Sequence, residues 1–426
     1  MDVENWFGKL LINKTGQHFK SDNNNNLELI INNNLVREPI SLANGFNNFF
    51  VESVNQIAEL FSSPDCTNSP LNSNSPAFII TELTDYDVAN LISGLKNSNA
   101  KDAFGLSTTF LKQHKDSLVR PITHLINLSF KHAHVPAVWK VAAITPIFKS
   151  GKKTDPSNYR PISILPIVSK VAEKWVNKQL IKHLNLGDTP LHPMQFGFRA
   201  NHSTETAICM FLETVKSLLD KNALVGAVFL DLKKAFDSVN HQVLLSRLTR
   251  FNFSKNTMKW FASYLSERKQ YVTVDGVKST SLQCNIGVPQ GSVLGPVLFS
   301  LFINDLPNQY PNVHTIMYAD DVVILREAKT ISEVSNSLTC ALTCVQEWLT
   351  KSCLLLNSKK TVCMMLSKRH LEITNSNVLL NGEELSLVNE FRYLGVTVYP
   401  CLSFKKHVKT LSNSTKFHLH TNQQNK

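Results

Sequence analysis

Two runs of strand-forming residues, Val313-His314-Thr315-Ile316-Met317 and Val322-Val323-Ile324-Leu325, are separated only by Tyr318-Ala319-Asp320-Asp321. So short a connection constrains the two runs to a hairpin with two adjacent carboxylates at its tip. Crowding such charges at the end of an apolar element is unfavourable unless something compensates them, and a cation is the usual compensation. The tetrad therefore calls for a third carboxylate elsewhere in the chain.

The bulk properties leave room for such a site. At 426 residues, 43% of them hydrophobic, the chain exceeds one average domain and can build a real core. The excess of 44 Lys+Arg over 33 Asp+Glu gives a net charge of +11. A surplus of that size favours a polyanionic partner, nucleic acid first and an acidic membrane surface second. Charge alone does not separate this from a merely soluble basic protein. The 8 cysteines (Cys66, Cys209, Cys284, Cys340, Cys344, Cys353, Cys363, Cys401) form no CxxC pair and match neither a zinc site nor a disulfide framework. They read as core thiols in a reducing compartment. His132 with His134, and His418 with His420, lack further ligands at metal spacing and read as ordinary residues. Met1-Asp2-Val3-Glu4 does not open a signal peptide, and the apolar stretch from Val293 to Ile303 is too short to span a bilayer. The expectation is an intracellular protein of nucleus or cytoplasm, not secreted, with no transmembrane segment and no membrane partner.

Along the chain, the asparagine tracts Asn23 to Asn26 and Asn32 to Asn34, and the Ser/Pro/Asn-rich Ser62 to Pro76, read as loop or linker. Between them Leu42 to Leu60 has helical spacing. Thr84 and Asp87 resemble a capping box ahead of Val88, Leu91, Ile92 and Leu95. Four more helices follow the same periodicity: one through Ile122, Leu125, Ile126 and Phe130, and one through Val168, Val171, Ala172, Trp175 and Leu180. The others are Thr204 to Leu219, with Ala207, Ile208, Phe211, Val215 and Leu219 inward, and Val334 to Leu349, with Leu338, Leu342, Val345 and Trp348 on one side. Ala227 to Leu230 is a short apolar strand, and Asp275-Gly276 and Asn381-Gly382 are hairpin signals. Helices mixed with hairpins around an antiparallel sheet predict an α+β protein with more than one subdomain.

The third carboxylate is Asp231, which ends the strand in Val228-Phe229-Leu230-Asp231-Leu232-Lys233-Lys234-Ala235-Phe236-Asp237. A buried strand delivering Asp231 beside the Asp320-Asp321 hairpin would gather three hard oxygen donors suited to two Mg²⁺ ions. A two-metal site lowers the pKa of an attacking hydroxyl and neutralises a leaving oxygen. Spacing alone does not prove that the three meet.

Further blocks occur in order around these residues. They are His134-Val135-Pro136 with Trp139-Lys140, Pro146 to Gly151, Asn158-Tyr159-Arg160-Pro161-Ile162-Ser163 and Gln195-Phe196-Gly197-Phe198-Arg199. After the Asp231 motif come Gly287-Val288-Pro289-Gln290-Gly291-Ser292 with Leu294-Gly295-Pro296. Leu356-Asn357 with Lys360-Thr361, and Tyr393-Leu394-Gly395-Val396, follow the tetrad. From about Ala43 to Val408 the chain resembles a reverse transcriptase of the non-LTR (LINE-type) retrotransposons.

The resemblance implies the fingers and palm of a right-hand polymerase, with an antiparallel palm sheet flanked by helices. It divides the chain into an N-terminal extension at 1–83, a fingers-side helical region at 84–220, the palm at 221–400 and a tail at 401–426. It implies an RNA-directed DNA polymerase using two Mg²⁺ ions, with Mn²⁺ able to substitute. Asp231 and Asp320 hold the metals and Asp321 completes the negative cluster. Lys149 and Arg160 clamp the incoming triphosphate, a task suited to the planar donor fork of arginine. Phe236 matches the gate against a ribose 2′-OH, core packing being its alternative. Gln290 and Gly291 match the motif beneath the nascent base pair, the alternative being a Gly-Pro-rich turn. Lys360 matches a general acid near the pyrophosphate, with a solvated surface lysine equally open. Tyr393, Leu394 and Gly395 resemble the hairpin that grips the primer. The implied partners are an RNA template, which would be the element's own RNA, a DNA primer and dNTPs.

Two departures accompany the resemblance. Full-length elements carry an endonuclease ahead of this region, for which there is no room, and the chain ends about twenty residues after His407, where the family continues into a helical thumb. The sequence thus reads as a truncated enzyme. Its alternative is an inactive relic that at most binds nucleic acid, and a maturase or telomerase-like protein is a third reading.

Overall fold

The computed structural model describes residues 27–404 except 32, 62–75, 188–189, 222–223, 311–312 and 369–374, together with 408, 409 and 412. The tract at Asn23 to Asn26, Asn32, nearly all of Ser62 to Pro76, Cys66, His418 and His420 lie outside the described residues, as does most of the tail. Two compact units interleave along the chain: the described residues of Met1–Pro190 with Phe236–Phe302, and those of Leu191–Ala235 with Ile303–Lys426.

The first unit is built on a five-stranded sheet. Val141–Phe148 lies between Tyr159–Ile164, which is antiparallel to it, and Arg268–Val274, which is parallel. Leu282–Cys284 and Val277–Lys278 both pair with Arg268–Val274. The turn to Val277–Lys278 is Asp275-Gly276, both residues at positive φ (48° and 80°), the conformation that an Asp-Gly hairpin prefers. Helix Pro39–Glu59 spaces Leu42, Phe46, Phe50, Val54 and Ile57 along one stripe, and all five are buried. Phe46 meets the Tyr159 ring edge-on at 4.8 Å, and the cluster extends to Ala142, Ile144, Val272 and Val274 on the sheet. Burial of a ring such as Phe46 contributes about 2–3 kcal/mol.

The Thr84–Asp87 capping box forms in full at the start of helix Asp85–Ser93. Helix Lys115–Lys131 buries Val119, Ile122, Ile126 and Phe130, but Leu125 is 51% exposed. It precedes Ile126 by one residue and so sits about 100° round the helix from it. In helix Ile167–Leu186 the buried stripe runs through Val171, Ala172, Val176 and Leu180, leaving Val168 and Trp175 half-buried.

The second unit holds another five-stranded sheet, ordered Ser386–Leu387, Val362–Leu366, Leu224–Leu230, Asp321–Ala328, His314–Tyr318. It is antiparallel apart from the short pairing of Val362–Leu366 with Ser386–Leu387. Its central strand is covered on both faces, which is why it reads as a continuous apolar run rather than an alternating one. Helix Thr204–Asp220 presents Ala207, Ile208, Phe211, Val215 and Leu219 to Val225, Ala227 and Phe229. On the other face Gly226 makes room for helix Ile331–Lys351, since a Cβ there would lie 2.5 Å from both Leu338 and Val334. That helix opens on a capping box of its own, Thr330 with Glu333, and buries Leu338, Leu342, Val345 and Trp348.

Among the described residues the thiols are free, but only Cys353 and Cys363 are buried. Cys209, Cys340 and Cys401 are exposed, so the expectation of core thiols fails for most of them. Cys340 fails because its position on the helix faces away from the apolar stripe. Among the described residues no helix is long and apolar enough to cross a membrane.

Candidate active site

In the second unit, Leu224–Leu230 pairs with Asp321–Ala328 so that Leu230 lies opposite Val322. Asp231 follows directly on Leu230 and Asp321 directly precedes Val322, so both adjoin the same end of this ladder. Asp320 shares a two-residue turn with Ala319, between the paired Tyr318 and Asp321. Asp231 and Asp320 are half-buried and Asp321 is exposed. The pairing therefore brings the three carboxylates to one end of the sheet. Among the described residues, no group of three or more Asp, Glu, His or Cys side chains stands close enough together to hold a metal ion as arranged. Carboxylate oxygens are hard donors, the kind that a divalent cation such as Mg²⁺ takes together with water or phosphate.

Two amide side chains hold this end of the sheet. Asn357 donates from Nδ2 to Asp231 Oδ2 at 2.9 Å, and its backbone N–H donates to the Asp231 carbonyl at 2.8 Å. The Asp231 N–H in turn donates to Thr361 Oγ1. Gln195 is fully buried, and its Oε1 accepts from the N–H groups of Gly197 (2.8 Å) and Ala319 (3.2 Å). Gly197 presses so closely on the Ala319-Asp320 turn that a Cβ there would lie 2.4 Å from the Ala319 nitrogen. Ala319 itself has a left-handed backbone, φ 55°, which needs such support. The Gln195-Phe196-Gly197 segment is thus an extra edge that braces the tetrad. Backbone bonds from Phe196 N–H to the Met317 carbonyl, and from Met317 N–H to the Met194 carbonyl, complete it.

Of the remaining residues in this unit, Lys360 is exposed, its backbone N–H bonded to the Asn357 carbonyl. Tyr393, Leu394 and Gly395 do form a hairpin: Tyr393 pairs with Val396 across Leu394 and Gly395, both at positive φ (46° and 91°). The Tyr393 ring is buried against Phe211 and Phe229, and its hydroxyl has no partner among the described residues. Burial, and then the Asp321 charge, push that phenol well above its usual range.

In the first unit, Lys149 and Arg160 are both exposed on one β-hairpin. Arg160 lies opposite Ile147, and the Lys149 N–H extends the ladder by donating to the Asn158 carbonyl at 2.8 Å. Positions two apart along a strand share a face, so Lys149 and Arg160 are diagonal neighbours on it. The Phe236 ring stacks on Phe299 at 4.4 Å, and the Phe236 carbonyl accepts from the Val288 N–H.

The loop Gly287 to Ser292 is pinned from several sides. Gly291 has φ 109°, and a Cβ there would meet the Ser163 carbonyl oxygen at 2.6 Å, so glycine serves close approach to another strand's backbone. The Ser163 N–H donates to the Gln290 carbonyl at 2.7 Å. Beyond the loop, the wholly buried Glu173 accepts from the N–H groups of Val293 (2.7 Å) and Leu294 (3.2 Å) and from Ser169 Oγ. Burial pushes the Glu173 carboxyl up, against the opposing pull of the Arg268 charge.

Comparison with known proteins decides the class. The family profile described as reverse transcriptase (RNA-dependent DNA polymerase) matches residues 151–398. The chain belongs to the reverse transcriptase family. It is 31% identical over 379 residues to the RNA-directed DNA polymerase from mobile element jockey of Drosophila melanogaster, covering 86% of this chain and 40% of that protein. It is 30% identical over 375 residues to the probable RNA-directed DNA polymerase from transposon X-element of the same species, with coverage of 86% and 40%. The resemblance to a LINE-type reverse transcriptase is borne out, and the chain spans about 40% of the length of these curated relatives. A solved structure of apo telomerase from Candida Tropicalis, truncated from its C-terminal domain, aligns with a TM-score of 0.42 at 15% identity, over 67% of this chain and 59% of that one.

Within this reverse transcriptase, sequence reasoning passed over three residues. Gln195 and Asn357 stand inside the motif blocks without a role of their own there; an amide in an otherwise apolar or turn-forming block is the available signal. Glu173 sat in the middle of an apolar helical pattern, where an acidic residue has to find donors.

Proposed function

We propose that this chain catalyses RNA-directed DNA synthesis, with Asp231, Asp320 and Asp321 as its metal-binding centre. The observation that supports the reading is the register in which Leu230 pairs with Val322, so that Asp231 and Asp321 adjoin the same end of the ladder beside the Asp320 turn, in a chain of the reverse transcriptase family. Reverse transcriptases use divalent metal ions, and here we assign two Mg²⁺ ions, replaceable by Mn²⁺. When bound, such ions lower the pKa of an attacking hydroxyl and neutralise the leaving oxygen.

The chain's own residues supply the rest. Asp231 and Asp320 hold the metals and Asp321 completes the negative field. Asn357 keeps the Asp231 carboxylate oriented. Arg160 and Lys149 take the triphosphate of a dNTP, Arg160 through its planar fork. Phe236, its ring held by stacking on Phe299, excludes a ribose 2′-OH. Gln290 and Gly291 lie beneath the nascent pair, Lys360 gives a proton to the departing pyrophosphate, and Tyr393, Leu394 and Gly395 grip the primer end. The primer 3′-OH attacks the α-phosphate and pyrophosphate leaves. Residues 84–220 would then act as fingers and 221–400 as palm, after an extension at 1–83 and before the tail at 401–426. The net charge of +11 serves template and primer phosphates, so binding weakens steeply with salt. The place of work is where element RNA and target DNA meet, in nucleus or cytoplasm.

A DNA primer annealed to an RNA template, with dNTPs and Mg²⁺, tests this beside Asp320→Asn. Extension by the parent and none by the variant supports the reading. Binding without extension by either supports the inactive relic instead.

A further inference from the structure

Gln290 is expected to face the nucleotide, yet an amide can present either its oxygen or its NH₂ group, and the two recognise opposite chemistry. The fold removes that ambiguity. Gln290 Nε2 stands 2.9 Å from Asp237 Oδ1 and 2.8 Å from Oδ2. An ionised carboxylate only accepts hydrogen bonds, so the group turned to it has to be the NH₂ and not the carbonyl.

Asp237 is itself fixed by the backbone. The Val288 N–H donates to the Phe236 carbonyl and the Gly287 N–H to the Val239 carbonyl, zipping the two segments together at 2.8 Å each. Gly287, at φ 86°, lies against Asp237 so closely that a Cβ would stand 2.4 Å from the Asp237 carbonyl oxygen. The His241 ring bonds the Gly287 carbonyl at 2.8 Å from behind. Asp237, Gln290 and Ser163 all line a cavity of about 80 Å³ in the first unit.

We propose that Asp237 is a positioning residue that locks the amide of Gln290, so that Gln290 offers the incoming nucleotide a hydrogen-bond acceptor rather than a donor. The proposal rests on the polymerase reading above and adds to it the sense of recognition: hydroxyl or amino donors of the substrate are accepted by the Gln290 carbonyl oxygen. That oxygen has no protein donor among the described residues. Asp237 does this without touching the reacting atoms.

The test has two readouts. The first is a double-mutant cycle on unfolding with Asp237→Asn, Gln290→Glu and both together, needing no activity. Gln290→Glu alone sets two carboxylates face to face and lowers the unfolding midpoint. The double variant restores a carboxylate–amide pair with the direction reversed and recovers most of the loss. Additive effects, with no recovery, would overturn the pairing. The second is steady-state primer extension by Asp237→Asn, in which the amide is no longer held in one sense. KM for dNTP should rise roughly ten-fold, the scale of one hydrogen bond to a charged group, with kcat much less affected. An unchanged KM, or an equal loss in kcat alone, would overturn the positioning role. If the parent chain extends nothing, the polymerase reading has failed, and the cycle still decides whether Asp237 holds Gln290. Should Asp237→Asn fail to fold, Asp237→Glu with Gln290→Asn keeps the pair and its direction while exchanging lengths, and has to retain the parental KM.

Discussion

Gln195 holds the Ala319-Asp320 turn through two backbone hydrogen bonds, and removing its oxygen tests that support directly. In Gln195→Met the side chain keeps its length and unbranched shape but loses the oxygen that accepts from Gly197 and Ala319. Both of those N–H groups are buried, and leaving each without an acceptor costs about 1–3 kcal/mol. The 3.2 Å bond to Ala319 belongs at the low end of that range. In the opposite direction, Gln195 Nε2 is buried with no partner among the described residues, and its removal returns about 1–3 kcal/mol. Two losses against one relief leave a net cost of about 1–3 kcal/mol, concentrated in the Ala319-Asp320 turn. Hydrogen exchange read by mass spectrometry on peptides covering 195–199 and 314–321 measures it directly. At about 1.4 kcal/mol per factor of ten, both peptides should exchange roughly ten- to a hundred-fold faster, with helix Ile331–Lys351 unchanged. Equal exchange in parent and variant would refute the claim that Gln195 holds the turn.

Other substitutions probe neighbouring parts. Asn357→Leu removes the donor to Asp231 and should lower the unfolding free energy by about 1–3 kcal/mol, with a larger fractional loss in primer extension than in primer–template binding. Gly291→Ala forces a Cβ against the Ser163 carbonyl at a backbone angle alanine rarely adopts, and should destabilise the protein by more than about 1 kcal/mol in denaturant titration. Burial pushes the Cys284 thiol up to about 11 and the Cys363 thiol up to about 12. At neutral pH both are therefore protonated, and iodoacetamide should label exposed Cys209, Cys340 and Cys401 first. Labelling of Cys284 should still be climbing as pH approaches 11, and mass spectrometry of timed samples reads the order.

Much of this was legible in the residues, for identifiable reasons. The tetrad and the apolar run before Asp231 announce their strands because turn and period signals are local, and the capping box at Thr84 is read the same way. What local patterns lack is register. That Asp231 and Asp321 adjoin the same end of the sheet follows from which residue of Leu224–Leu230 meets Val322, a fact set by packing on both faces of the sheet. The tasks of Gln195 and Asn357 escaped for a related reason, since each acts on a residue more than a hundred positions away in sequence. Leu125 misled because an apolar residue beside a helical stripe looks like a member of it, whereas burial follows the angle. The interleaving of the two units was not visible at all, because Phe236–Phe302 carries no compositional mark of the unit it joins.

We propose that Asp231 is a metal-binding carboxylate of a polymerase and not merely a well-packed strand end. The direct measurement is single-nucleotide incorporation on an RNA template under single-turnover conditions with Mg²⁺, for the parent and Asp231→Asn, with primer–template affinity measured alongside. Asparagine preserves the shape at 231 and an oxygen for Asn357 Nδ2, so the fold and template affinity should hold while incorporation falls by orders of magnitude. Incorporation by Asp231→Asn at the parental rate would contradict the account.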